Sequence, residues 1–363
     1  MIGMFPLAHE QVNYRKAGGI VPFRQLSNRV AADSVAAPAA EADRPIEQRN
    51  HSEVSEFILL GLSNKPEQER FLFFFMLMYL ITVLGNLLII LAIRIDTRLH
   101  TPMYFFLSSL SLFDICFTST TIPKMLVNHI SKNKVIPYSM CLTQTFFFSW
   151  FIGTDSVLLA SMAYDRYVAI CAPLHYTMII TPRVCVFLVA VSWIWTCVNS
   201  LIHTTSLNRL SFCGHNEIHH FFCDLSALIK LACSDTFIND LLIYTVGGLT
   251  AIVPFIGILL SYIHIFVAVL RIPSAVGKRK AFSTCGSHLT VVCLFYGTII
   301  GVYFSPTSTH TAQKDTAVAV MYTVVTPMLN PFIYSLRNND VKGALRLLLT
   351  RKSGLYCGYE TWV

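Results

Sequence analysis

Charge is scarce in this chain. Of its 363 residues, 13% are Asp, Glu, Lys or Arg and 54% are hydrophobic, whereas about a quarter of a typical soluble domain is charged. So much apolar surface cannot be hidden in one soluble core, which excludes a single globular domain. The charge-poor runs lie at about 71–93, 101–124, 141–164, 184–206, 240–270, 281–304 and 316–336. Each is long enough to cross a bilayer, which takes about 20 residues. The expected fold is therefore an all-α membrane protein, a bundle of seven transmembrane helices. A secretory signal is missing too: the first 49 residues contain no apolar core of signal-peptide length. They mix six Lys/Arg with five Asp/Glu around AADSVAAPAAEAD and read as a disordered extension. Four parts follow: 1–49 the extension, 50–70 an outer N-terminal segment, 71–336 the membrane domain and 337–363 a tail.

Basic residues divide unequally between the two sets of short loops. One side holds thirteen, among them Arg94, Arg98, Arg166, Arg183, Arg271, the run Lys278, Arg279, Lys280, and Arg337; the other holds six. The richer side is assigned to the cytoplasm, and an odd number of spans then leaves the N-terminus outside. The net charge of +7 reads as topology plus contact with anionic lipid or an acidic cytosolic partner; nucleic-acid binding is not indicated. The chain has one N-x-S/T sequon, Asn50-His51-Ser52, on the outer side, a candidate glycosylation site.

Eleven cysteines sort by compartment. Cys116, Cys171, Cys185, Cys197, Cys285 and Cys293 lie in or beside spans, where a thiol packs as a small apolar group. Cys141, Cys213, Cys223 and Cys233 share the outer side, where disulfides form; four cysteines allow three pairings. His215, His219, His220 and Asp224 accompany them, but without the fixed spacing of a zinc site.

The stretch Val135–Tyr164 holds one formal charge, Asp155, and ends in MAYDRYVAIC. Arginine in hydrocarbon survives at a helix end by snorkelling or pairing, so Asp165 beside Arg166 is read as a latch that holds the guanidinium in one state and frees it in another. Asp155 and Arg166 are eleven positions apart, about 16 Å along one helix face. Asp114, Asn86 and Asn330 are polar groups within other spans. A buried carboxylate stays protonated or finds cations and hydrogen bonds. Asn330-Pro331 with Tyr334 forms a second bistable element, because proline removes a backbone bond that a nearby polar side chain re-satisfies. Beyond it, Val341, Ala344, Leu345 and Leu348 fall on one face opposite Lys342 and Arg346, a short amphipathic helix on the inner leaflet. Cys357 is a candidate for acylation.

Rival classes lack their marks. A transporter would show a repeated half with ionisable residues in both halves; there is no internal repeat, and the embedded acids sit in the second and third spans alone. A membrane hydrolase would need a nucleophile with an oriented base, and His203, His264 and His288 have no matching Ser or Cys motif.

The GN pair at 85–86, LHTPMYFFLSSLSLFDIC (99–116), MAYDRYVAIC (162–171), KAFSTCGSHLTVV (280–292) and PMLNPFIYSLRN (327–338) occur in that order. Together they resemble an olfactory receptor of the rhodopsin-like G-protein-coupled class, family 1, over roughly residues 50 to 350. The resemblance implies disulfides Cys141–Cys223 and Cys213–Cys233, odorant-dependent activation of the olfactory stimulatory G protein, a rise in cyclic AMP, and residence in the cilia of olfactory neurons. It implies no cofactor beyond a candidate sodium ion at Asp114 and Asp155, the latter standing where the family usually has Glu. Alignment on Arg166, Trp193, Tyr262, Tyr296 and Pro331 points to Phe148, Ser149, Ile152, Gly153, Val246, Thr250, Ile299, Tyr303 and Thr323 as the ligand site. None of the nine is charged, and a cation there would be desolvated without a counter-ion. The implied ligand is small, neutral and largely hydrophobic, with one or two hydrogen bonds from Tyr303, Ser149, Thr250 or Thr323. Asp165, Arg166, Tyr167, Tyr262, Asn330, Pro331 and Tyr334 make up the implied switch. Arg166, the Ala172–Tyr176 turn and Lys278, Arg279 and Lys280 face the G protein. The alternatives are a chemosensory receptor outside olfaction and a small-solute transporter.

Overall fold

The computed structural model of the chain describes residues 54–61, 68–131, 133–214, 216–303, 319–337 and 339–350. The extension 1–49, Asn50 and Cys357 lie outside them. Among the described residues six helices are long and apolar enough to cross a membrane. They are α1 (Gln68–Ile95), α2 (Pro102–Ile130), α3 (Tyr138–Cys171), α4 (Pro182–Leu207), α5 (Phe237–Leu270) and α6 (Ala275–Tyr303). The seventh is described from Ala319 and runs through a π-helical turn, Met321–Val325, into α7 (Thr326–Arg337); α8 (Asn339–Thr350) follows.

Local chemistry sets the ends. Thr101-Pro102 and Thr181-Pro182 open α2 and α4 with proline at the first helical position, where its missing N–H is not needed. Thr181 also accepts from the Val184 amide at 3.3 Å. Pro173 disfavours a helical Ala172, and α3 stops at Cys171.

The bundle wears its leucines outside. Phe73, Phe74 and Leu84 of α1 and Phe187, Ile194 and Leu201 of α4 are exposed, while Thr82, Asn86, Asp114, Thr118, Thr154, Asp155 and Ser156 are buried. Lipid solvates apolar side chains as well as a protein interior does, so small and polar groups gather at the helix contacts. The hydroxyls return to their own helices: Thr82, Thr118, Thr145 and Thr154 each donate to the carbonyl four residues back, at 2.7–3.0 Å.

Helix α3 is central and packs on α2, α4, α5 and α6. Close approach of α1 to α7 depends on Gly85, where an added Cβ would stand 3.2 Å from the Pro331 ring. Asn86 secures the same contact, donating to Thr82 O at 3.0 Å and Pro327 O at 3.3 Å. Gly85→Val overpacks this seam and should destabilise the bundle by about 1–3 kcal/mol, seen as a lower melting temperature of the purified protein.

At one end a cap closes over the bundle. Strand β1 (Glu56–Leu59) pairs antiparallel with β2 (Val135–Pro137), setting Phe57 opposite Ile136, and parallel with β3 (Glu217–Ile218), setting Leu59 opposite Ile218. Phe57, Leu59, Ile136, Phe212 and Ile218 are buried together beneath it. Cys141 is bonded to Cys223 and Cys213 to Cys233, with Cα atoms 5.5 and 6.0 Å apart. At the other end Val341 and Ala344 bury α8 against the main core, with Leu345 and Leu348 partly buried beside them.

Candidate functional site

Beneath the cap, Phe148 of α3 is the hub of an aromatic cluster. Its ring centroid lies 5.1 Å from Phe117, 4.8 Å from Phe222 and 6.0 Å from Tyr322. Phe117 and Tyr322 also line a small cavity of about 10 Å³ just below, whose polar wall is Asp114, Asp155 and Asn330. That volume holds about one water-sized guest.

The donors around the cavity are all oxygens. Asp114 accepts from Asn330 Nδ2 through both carboxylate oxygens, at 3.1 and 2.9 Å. Asp155 Oδ1, Asn330 Oδ1 and Asn86 Oδ1 are buried without a hydrogen-bond partner. Such buried acceptors cost about 1–3 kcal/mol each unless a donor or cation meets them. The two carboxylates and the Asn330 amide oxygen that line the cavity suit a hard cation.

On the α3–α4–α5 side, Gly153 lets the helices close: an added Cβ would lie 3.2 Å from Thr196 and 3.7 Å from Thr250. The Thr250 hydroxyl donates to Val246 O at 2.9 Å and accepts from Trp195 Nε1 at 3.2 Å and Asn199 Nδ2 at 3.0 Å. A hydroxyl offers one proton and two lone pairs, so it is fully engaged. Lower in the bundle, Ser156 Oγ and Tyr296 OH are 2.8 Å apart and join α3 to α6.

At the far end, the Tyr262 hydroxyl meets His288 Nδ1 at 2.9 Å, and His288 Nε2 meets Leu159 O at 3.1 Å. A carbonyl only accepts, so Nε2 carries the proton, Nδ1 accepts and Tyr262 donates. One fully buried imidazole thus ties α3, α5 and α6 together. Arg166, on the same end of α3, is half-buried.

A family model described as olfactory receptor matches residues 75–352. The chain is 60% identical over 304 residues to olfactory receptor 1f45 of Rattus norvegicus, covering 84% of this chain and 97% of the relative. It is 58% identical over 308 residues to olfactory receptor 1M1 of Mus musculus, covering 85% and 98%. It is likewise 58% identical over 303 residues to olfactory receptor 1F1 of Homo sapiens, covering 83% and 97%. The chain belongs to the olfactory receptor family. It is a multi-pass protein of the plasma membrane and not an enzyme.

In this olfactory receptor seven of the nine ligand-site positions fall in two groups. Phe148 and Ile152 share the aromatic cluster with Val324 and Tyr322. Thr323 is fully buried and donates to Ala319 O at 2.7 Å. Ile299 packs on the same main core as Ile152. Gly153, Val246 and Thr250 meet at the α4–α5 seam instead, and Ser149 is half-buried. The side chains of Tyr303 and Lys280 lie outside the described residues.

Among the switch positions one pairing differs from the sequence reading. Asp165 does not hold Arg166: the Tyr176 hydroxyl donates to Asp165 Oδ1 at 2.7 Å, and among the described residues Arg166 forms no ion pair. Neighbouring residues on a helix point about 100° apart, so the acid is better reached by the following turn than by the next side chain. Burial, then the charge of Asp165, push the Tyr176 hydroxyl well above the ordinary phenol range, keeping it a donor. Tyr167 packs with Ile265 and Cys285, and Tyr334 is buried with its hydroxyl unpartnered. Lys278 is half-buried and Arg279 exposed.

Two features escaped the sequence reading. His288 was weighed only as a catalytic base; its place in KAFSTCGSHL was the available signal. The cap sheet left none beyond the short apolar run EFIL. The loop histidines do not build a metal site with cysteine, because Cys213 and Cys223 are both in disulfides. No cluster of three metal-capable side chains occurs among the described residues.

Proposed function

We propose that this receptor takes a small, neutral, mostly hydrophobic odorant beside Phe148 and answers by activating the olfactory stimulatory G protein, raising cyclic AMP. The observation that carries this reading is the continuity of the uncharged aromatic cluster with the polar cavity below it: Phe117 and Tyr322 touch both. A guest that moves Phe148 therefore presses on the groups around Asp114 and Asp155. A ligand drives the change only by preferring the shape in which α6 has moved outward.

The end bearing Arg166, Lys278, Arg279 and Lys280 faces the cytoplasm in this reading, and the cap faces outward with Asn50 open to glycosylation. In this reading residues 1–49 are an N-terminal extension, 50–70 the extracellular segment, 71–336 the receptor domain, and 337–363 the amphipathic helix and cytoplasmic tail. Asp114 and Asp155, with Asn330 and Asn86, would hold a sodium ion, supplying positive charge to a pair of acids in the resting shape. Asp155 is a methylene shorter than the glutamate usual in the family and reaches less far toward such an ion. The ciliary membrane of olfactory neurons is the proposed site of action.

The test is a cyclic AMP screen of neutral odorants in cells expressing the full chain and a version beginning just before Asn50. Dose-dependent responses in both support the reading; silence across neutral odorants with a response to amines would overturn it. Once an agonist is known, Tyr303→Phe should weaken oxygen-bearing ligands about tenfold and hydrocarbons little, the scale of one buried hydrogen bond. An equal effect on both would remove the hydroxyl from recognition.

A further inference from the structure

The loop between α4 and α5 enters the bundle where a loop would ordinarily lie on the surface. Phe221 is 1% exposed and Phe222 is 0% exposed, and Phe222 lies 4.8 Å from Phe148. On one side the segment is fixed by the Cys141–Cys223 bond and by the Cys223 amide, which donates to Gln144 Oε1 at 2.9 Å. On the other side it is held by the N-terminal strand. The amides of Ile58, Leu60 and Gly61 donate to the carbonyls of Asn216, Ile218 and His220 at 2.7, 3.0 and 3.3 Å. Gly61 sits at φ +76°, which only glycine adopts without strain, and this turn keeps its amide on the loop directly before the two phenylalanines. The strand has its own anchors: Phe57 is fully buried, edge-on to Phe212 at 5.2 Å, and Lys134 Nζ donates to Leu60 O at 3.0 Å.

We propose that strand Glu56–Leu59 is a working part of the ligand site: by pairing with Glu217–Ile218 it holds Phe222 down on Phe148 as a stopper that sets how long a ligand the chamber accepts. The proposal rests on the odorant reading given above. Its chemistry is apolar contact, so the selected property is chain length rather than charge or hydrogen-bonding pattern. Because the strand is held by backbone bonds, loosening it acts on the stopper without changing any group that faces the ligand.

The test uses the full-length receptor with surface level measured by an epitope tag, and a homologous series of straight-chain alcohols and methyl ketones. Phe222→Ala removes the ring; Ile58→Pro removes the amide that bonds Asn216. Both should move the best chain length upward, with roughly fifteenfold better potency for a ligand two methylenes longer, from about fourfold per buried methylene. Hydrogen exchange of the purified Ile58→Pro receptor should be faster at residues 217–222. An unchanged length preference in Phe222→Ala overturns the stopper, and unchanged exchange in Ile58→Pro overturns the tether. Phe222→Ala leaves the strand intact, so the length test stands even where Ile58→Pro fails to reach the surface. If the wild type answers no member of the series or any neutral odorant, the odorant reading fails, and the exchange measurement still decides the tether.

Discussion

Cys223→Ser should remove most of the receptor from the cell surface. The bond to Cys141 closes a separation of 82 residues, and restricting the unfolded chain over such a loop contributes about 4–5 kcal/mol in the chain-entropy model. That is comparable to the whole stability of a marginal domain. The site adds to the loss, because Cys223 is fully buried beneath the cap and its backbone is gripped twice. Its amide donates to Gln144 Oε1, and its carbonyl accepts from Thr145 Oγ1 at 3.3 Å. Without the bridge those two bonds alone hold the Cys223 backbone to α3, and a serine hydroxyl is left in an apolar cluster. Cys141→Ser should match it, and the double variant should be no worse than either single one, since all three lose one bond. Cys213→Ser breaks a bridge of separation 20, worth about 3 kcal/mol, and should retain more surface protein. Antibody staining of unpermeabilised cells reads all four. Normal display of both Cys141→Ser and Cys223→Ser would show that the bridge does not support the cap.

What the amino-acid sequence reveals and what it hides divides along a physical line. Bilayer thickness fixes the length of an apolar run, so the spans could be found without knowing any contact. Their ends could not: α3 runs from Tyr138 to Cys171 although the charge-poor run suggested 141–164. Backbone hydrogen bonding continues into the headgroup region, where charge is already tolerated. The amphipathic pattern of α8 was legible for the same reason as the spans, since Val341 and Ala344 must share a face at a period of 3.6. Strand β1 is four residues long and owes its existence to partners about 80 and 160 positions away, which no local pattern announces.

The site divides in the same way. Asp114 and Asp155 stand out because their chemistry is unusual for their place in a span, whereas Phe148 is an ordinary span residue that the family resemblance alone singled out. His288 does not stand out, because a single histidine on an apolar helix acquires meaning only from the Tyr262 hydroxyl and the Leu159 carbonyl that flank it. The Tyr176 partner of Asp165 was hidden for a related reason: adjacency in sequence suggested Arg166, and in this structure helix geometry gives the acid to Tyr176. Thr250 illustrates the converse. Its hydroxyl is a sensible ligand contact on paper, but three protein groups already use it.

Arg166→Ala should uncouple agonist from cyclic AMP while leaving the receptor on the surface. In this structure the guanidinium forms no hydrogen bond or ion pair with Asp165, whose carboxylate accepts from Tyr176, and Arg166 is half-buried. A charged donor there can bind backbone carbonyls of an inserted helical tail, and a hydrogen bond to a charged group contributes about 1.5–3 kcal/mol. Losing it should reduce the response roughly tenfold to a hundredfold. Because Arg166 forms no ion pair among the described residues, its removal orphans no buried carboxylate, and folding should be little affected. Asp165→Asn differs: it keeps a hydrogen-bond acceptor for Tyr176 and removes a charge beside Arg166, so it should raise ligand-free signalling. Tyr176→Phe removes the donor and leaves the charged acid free to draw Arg166 back, so it should lower the response. The opposite signs distinguish a shared switch from independent packing effects, since both substitutions disturb the same 2.7 Å contact. An undiminished response in Arg166→Ala, at equal surface level, would take this residue out of the output mechanism and leave the Tyr262–His288 bridge as the element through which α6 reports.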